Sequence, residues 1–282
     1  MAGQHDKAPA RPVAQFWTGL RFLSAALLLI WLVLPLLPLA IWSFAKGWFF
    51  PDLLPARWGL HAWDYILSDT AGLFDSLGQS LVIALVVVLV SVLVGLPAGR
   101  ALGFYQFRGK QLVELIILAP LIVPGIAVVM GLHTLFIGLG LTNNMAGVML
   151  VHLIPTLPYM ILVMAGVFAN YDIAFEQQAR ALGASRIQVW LFVMLPSILP
   201  GLIAGSLFAF LVSWSQYILT LMIGGGRVIT LPLLLFNFAT AGRHDITGAL
   251  ALIYILPGVV ILLAMAGYLS GRGPELSRAG RP

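Results

Sequence analysis

The ionisable residues of this chain are spaced so unevenly that they outline its architecture. Residues 22–45, 76–99, 115–171, 187–226 and 246–271 contain no Asp, Glu, Lys or Arg, and each stretch is at least 24 residues long. A helix needs only ~20 apolar residues to cross a hydrocarbon core, so every stretch is long enough to span a bilayer. The third stretch holds two crossings, with Gly138-Leu139-Gly140-Leu141-Thr142-Asn143-Asn144 as the break. The fourth holds a polar-flanked segment, 187–200, and then one crossing. The pattern predicts six spans, over about residues 22–45, 79–99, 113–137, 146–168, 201–223 and 247–269. Backbone groups in lipid must bond internally, which makes these spans helices. No ten-residue alternation suggests a barrel. The first run, Phe22 to Ala45, exceeds the ~7–15 apolar residues of a signal peptide and reads as a permanent span.

Composition agrees with the pattern. Of 282 residues, 61% are apolar and 9% charged, against ~25% charged in an ordinary soluble domain. That excludes a soluble globular protein, a disordered chain and a nucleic-acid-binding domain; the net charge of +5 is spread along the chain. The lack of cysteine removes disulfides, thiolate metal sites and cysteine catalysis. Positive charge then sets the direction of the spans. With a cytoplasmic N-terminus, eleven basic residues face inside: Lys7, Arg11, Arg21, Arg100, Arg108, Lys110, Arg180, Arg186, Arg272, Arg278 and Arg281. Four face outside, namely Lys46, Arg57, Arg227 and Arg243. The expectation is an all-α integral membrane protein with both termini cytoplasmic. It divides into a tail over 1–21, a transmembrane domain over 22–269 and a tail over 270–282, with disorder expected over 1–15 and 270–282. The outer loop 46–78 carries Asp52, Asp64, Asp69 and Asp75 beside Trp48, Trp58 and Trp63, which read as an interfacial aromatic belt.

The spans are nearly empty of ionisable groups. Glu114 starts the third span beside Lys110; otherwise only His133 and His152 lie at membrane depth. Carboxylates near mid-membrane mark ion-coupled carriers, so their absence argues against a secondary transporter. The two histidines read either as packing residues or as polar lining of a path. No G-x-x-x-x-G-K-[ST] loop occurs, and no H-E-x-x-H or G-x-S-x-G motif suggests a membrane enzyme. Energy for uphill transport would have to come from another chain.

One loop, 170–196, carries information of its own. Ile173 to Leu182 fits a short helix with Phe175, Ala179 and Leu182 on one face and Glu176, Gln177 and Arg180 outside it. Gly183 suits the left-handed turn that ends such a helix. A short amphipathic helix held between membrane helices is either a handle for a partner's groove or an interfacial cap.

The loop resembles the EAA loop of permease subunits of binding-protein-dependent ABC importers, E-A-A-x-x-x-G followed after nine residues by I/V-x-L-P. Gly183 sets the register, placing Gln177-Gln178-Ala179 on E-A-A and Val193-Met194-Leu195-Pro196 on the closing motif. The Gly, the second Ala and V-x-L-P match; Gln177 replaces the family Glu, with Glu176 one residue earlier. Similarity runs over about residues 30–270 and includes Trp58-Gly59-Leu60 to Tyr65, Asp75-Ser76-Leu77 to Ser80, and Thr230-Leu231-Pro232. The resemblance implies a type I ABC importer permease in the bacterial inner membrane, with the loop as a coupling helix on a cytoplasmic ATPase dimer. The coupling residues would be Glu176, Gln177, Gln178, Ala179, Arg180, Leu182, Gly183, Ala184 and Ser185. It implies no catalytic site or cofactor in this chain, ATP and Mg²⁺ being held by the ATPase. The other partners implied are a second, different permease subunit, an extracytoplasmic solute-binding protein and membrane lipid.

Leu182-Gly183-Ala184 looks like the spermidine/putrescine-type branch, whereas sugar-type permeases show I-D-G-A there. The expected cargo is a polyamine-like or other small organic solute such as a phosphonate. The candidate path residues are His133, His152, Tyr159, Ser213, Trp214, Gln216 and Tyr217. Trp214 and Tyr217 offer a cation aromatic faces, but no acid accompanies them at membrane depth.

Overall fold

A computed structural model describes residues 11–48 and 51–271. The elements are α1 Arg11–Val33, α2 Leu36–Phe44, α3 His61–Ile66, α4 Leu73–Phe104, α5 Lys110–Ile122, α6 Gly125–Gly138 and α7 Met145–Ala169. There follow α8 Ala174–Ala181, α9 Arg186–Val189, a π-helical turn Trp190–Met194, α10 Leu195–Trp214, α11 Ile218–Gly224, α12 Leu231–Thr240 and α13 His244–Gly271. Among the described residues the β pairing is a single antiparallel bridge, Ala45 to Trp58, which closes the loop after α2.

Four helical runs are long and apolar enough to cross a membrane alone: Leu73–Phe104, Met145–Ala169, Arg186–Trp214 and His244–Ile261. Two more qualify as bent pairs, α1–α2 with a 44° bend and α5–α6 with a 101° bend, giving six crossings if each pair is one span. Both bends fall at prolines, Pro35 and Pro124, where the ring removes an N–H and blocks the preceding turn. The third crossing is therefore two helices set nearly at right angles rather than the single rod expected over 113–137. The expected disordered ends lie mostly outside the described residues; residues 11–15 and 270–271, which fall inside, are helical.

The fifth crossing is displaced from its expected position, 201–223. The helix runs unbroken from Arg186 to Trp214, stops at Ser215-Gln216-Tyr217, and resumes as α11. The two prolines that suggest a lead-in segment are absorbed. Leu195 N–H bonds to the Trp190 carbonyl five residues back, and this wider turn stands directly before Pro196, which has no N–H to donate. Ser197 Oγ also donates to the Val193 carbonyl at 2.7 Å.

The centre of the fold is the seam between α4 and α7. Gly95, Gly99 and Gly103, spaced four apart, form a groove along α4 that receives Met160, Met164 and Phe168. Small residues let helix backbones approach closely where lipid gives no hydrophobic drive to pack. Ser91 Oγ continues the seam, donating to Thr156 Oγ1 at 3.3 Å. In each pair the partner lies 65 positions later, so the two helices run parallel. α10 packs antiparallel against α7, with Gly201 against Val167 and Gly205 against Met160. At one end Met160, Met164, Phe168, Met194, Ile198 and Ala209 form a core; at the other, Ile66, Leu73, Trp214, Leu231, Ile246 and Leu250 form a second.

Candidate functional site

The helix alternation brings Arg100, Arg108, Lys110, Arg180 and Arg186 to the end of the bundle where α4 and α7 finish and α8 sits. α8 ends in a Schellman turn: Gly183 N–H donates to the Arg180 carbonyl and Ala184 N–H to the Ala179 carbonyl, both at 3.0 Å. Gly183 holds φ at 90°, the left-handed region where only glycine is free of a Cβ penalty. Ser185 then opens α9 with a capping box, its Oγ accepting from Gln188 N–H while Gln188 Oε1 accepts from Ser185 N–H. The loop is thus a rigid helix–turn–helix.

The two faces of α8 have opposite surroundings. Phe175 and Leu182 point out, Leu182 at 89% exposure, while Glu176 is 3% exposed and turns into the bundle. The reason for the inward turn of Glu176 lies on α4. Arg100 Nη2 donates to both Glu176 oxygens at 3.0 Å. Arg180 Nη2 approaches Glu176 Oε2 from outside at 3.5 Å. The Arg100 guanidinium also lies 5.3 Å from the Phe104 ring and 5.7 Å from the Phe168 ring, and its Nη1 donates to the Met194 sulfur. Beside it, burial raises the pKa of the Tyr171 phenol, the Glu176 charge adding to the shift and the Arg100 charge opposing it. Gln177, Gln178, Arg180, Gly183 and Ser185 are exposed; Ala179 and Ala184 are half-buried. The sequence reading places Arg100 on the inner side as a positive charge but not among the site residues, although a signal exists: it is the one charge between Asp75 and Arg108, set one turn inside the helix end.

The path candidates separate into two groups. His152, Ser213 and Trp214 are packed inside the chain, His152 at 1% exposure. Thr220 Oγ1 donates to the Gln216 carbonyl at 3.0 Å. Its single proton is thereby used, so His152 Nε2 carries the ring proton and donates to Thr220 Oγ1 at 3.0 Å. His152 Nδ1 in turn accepts from Ser213 Oγ at 3.0 Å. This trio ties α7, α10 and α11 together across the break at 215–217. Trp214 stacks between Phe210 and Tyr254, with ring centroids 5.7 and 6.1 Å away. The second group is more open: Tyr159, 36% exposed, is stacked on Phe208, and Tyr217 lies against Phe236, with Gln216 half-buried beside it. His133, on α6, is also half-buried.

At the opposite end, α4 clasps the segment leading into α12. Gln79 Oε1 accepts from Ile229 N–H at 3.0 Å and Ser80 Oγ from Leu231 N–H at 2.7 Å. A residue of another helix thereby caps α12, whose own N-cap, Thr230, makes no side-chain cap bond. His61 Nε2 lies 3.0 Å from Asp245 Oδ2, fastening the start of α3 to the start of α13, and Arg243 flanks the same carboxylate at 3.3 Å.

Comparison with known proteins gives this geometry a context. The sequence model described as "Binding-protein-dependent transport system inner membrane component" matches residues 93–272. The putrescine transport system permease protein PotI of Escherichia coli (strain K12) is 29% identical over 253 residues, covering 86% of this chain and 87% of its own length. The spermidine/putrescine transport system permease protein PotC of Haemophilus influenzae is 26% identical over 235 residues, covering 83% and 90%. Among solved structures, a bacterial ABC transporter involved in the import of the acidic polysaccharide alginate aligns with a TM-score of 0.68 at 18% identity, covering 92% of this chain and 99% of that one. The inward-facing MetNI methionine ABC transporter aligns at 0.53 with 16% identity, covering 68% and 91%. These two share the fold.

Proposed function

The chain belongs to the family of binding-protein-dependent transport system inner membrane components, and from that membership we propose that it is one half of the translocation path of an ATP-driven importer. The observation that carries the reading is α8: a rigid, Schellman-closed helix at one end of the bundle that presents Phe175 and Leu182 outward. Exposed apolar side chains on a short helix suit insertion into a groove of a partner. The partner proposed is an ATPase dimer, which would hold ATP and Mg²⁺. The end bearing Arg100, Arg108, Lys110, Arg180 and Arg186 is then cytoplasmic, in keeping with positive charge inside. A solute-binding protein would dock at the opposite end, and a second, different permease would complete the path.

For the cargo we propose a polyamine-type cation, following the names of the relatives. Of the aromatic path candidates, Tyr159 and Tyr217 are less buried than Trp214, and aromatic faces attract ammonium groups. Carboxylates would come from the second permease. The test is purification of the tagged chain from its own cells, followed by uptake of labelled putrescine. Co-purification of an ATPase, together with loss of uptake on Gly183→Asp, is expected. Isolation without an ATPase, with uptake unaffected by Gly183→Asp, would remove the importer reading.

A further inference from the structure

Four elements meet at one guanidinium. Arg100 belongs to α4; its Nη2 holds the Glu176 carboxylate of α8 at 3.0 Å on both oxygens; its Nη1 touches Met194 of the π-helical turn; and its face lies 5.7 Å from Phe168 of α7. The rest of α8 is joined to the bundle by the segment 170–173 before it and by the hydrogen-bonded turn 182–185 after it, which leads into α9 and α10. That turn links α8 to α10 alone, whereas the charge-assisted contact with Arg100 ties it to α4 and, through the guanidinium, to α7.

We infer that Arg100 is a positioning residue that receives the displacement of α8 through Glu176 and passes it to α4, α7 and α10. The inference rests on the proposed role of α8 as the helix that docks on an ATPase, and it adds a residue which that docking does not touch. Glu176 faces away from the docking surface, so its part is internal: the carboxylate is the join between the docked helix and the bundle. Arg180, reaching the same carboxylate from the exposed side at 3.5 Å, steadies it. The glycine seam then makes any shift of α4 a shift of α7.

The experiment uses the complete complex with its ATPase, and needs no knowledge of the cargo. The chain has no cysteine, so Ser215→Cys, at the break beyond Trp214, supplies a single reporter read on this chain by maleimide labelling. In the otherwise unaltered complex a non-hydrolysable ATP analogue is expected to change the labelling rate. Arg100→Lys keeps the charge but loses the planar group whose second nitrogen reaches Met194, and the doubly neutral Arg100→Gln/Glu176→Gln leaves no unpaired charge buried. Both are expected to retain the ATPase on purification while the nucleotide-induced change shrinks by about fivefold or more, within the range of residues that modulate coupling. An undiminished nucleotide response in either variant overturns the inference, as does loss of the ATPase on Glu176→Gln, which would make that residue a docking contact. An unaltered complex that holds no ATPase removes the proposed function itself, a result separate from both.

Discussion

A Cβ built on Gly99 of α4 would stand 2.9 Å from the backbone nitrogen of Ala165 on α7, with the Ile161 carbonyl oxygen at 3.0 Å. Neither neighbour can swing aside, because both are main-chain atoms of a helix. Overfilling a close-packed site costs about 1–3 kcal/mol. Gly99→Ala should therefore lower the melting temperature of the detergent-solubilised chain, whereas Gly166→Ala, on α7 with nothing within 4 Å of the new atom, should leave it unchanged or raise it. A thermal-shift comparison of the two decides whether the seam is as tight as described.

Ser80 supplies the acceptor for Leu231 N–H at 2.7 Å, in a place where both residues are buried. Ser80→Ala strands that donor, at a cost of about 1–3 kcal/mol; Ser80→Thr keeps the oxygen. Amide exchange at Leu231 and along the first turn of α12 should accelerate in the alanine variant and stay slow with threonine. Equal exchange in both would mean that the cap contributes nothing.

His152→Leu removes both hydrogen bonds that bridge α7 to α10 and α11. Ser213 loses its partner, whereas Thr220 keeps the Gln216 carbonyl. The loss should be about 1–3 kcal/mol, the penalty for one unsatisfied buried group. It should appear as faster proteolysis or exchange around 215–224, with the α4–α7 seam unaffected. The double variant His152→Leu/Ser213→Ala should recover part of it.

Gly183 gives a different kind of expectation. Its φ is 90°, yet a Cβ there meets nothing within 4 Å, so substitution is penalised by the backbone alone. In the isolated chain Gly183→Ala should cost about 1–2 kcal/mol, and Gly183→Asn less, since asparagine tolerates left-handed φ. A stability order that followed side-chain volume would contradict this.

The sequence made the crossings legible because charge is excluded from lipid over lengths that only a helix can fill. The break at 138–144 and the turn at Gly183 were equally visible, each marked by glycine chemistry. Three features were not. The start of the fifth crossing at Arg186 was hidden because Pro196 and Pro200 signal a helix end, and only the π-helical turn before Pro196 reveals that the helix continues. The inward turn of Glu176 could not be read from α8, since its cause, Arg100, lies 76 positions away. The burial of Ser213 and Trp214 likewise depends on His152 and Tyr254, which only the packing brings near. By contrast, the Gly95, Gly99, Gly103 spacing stood in the sequence and could have been recognised as a helix-packing groove.

The parallel course of α4 and α7 has a mechanical meaning. Paired residue for residue with no drift in offset, the two helices form a keel rather than two rods. Between Arg100 and Ser80 it measures ~30 Å at ~1.5 Å per residue. A tilt of about 5° imposed at the arginine moves the serine end by ~2.6 Å over that length, nearly the whole of the Ser80–Leu231 hydrogen bond. The keel is thus long enough for a small rotation at the charged end to unlatch the far one.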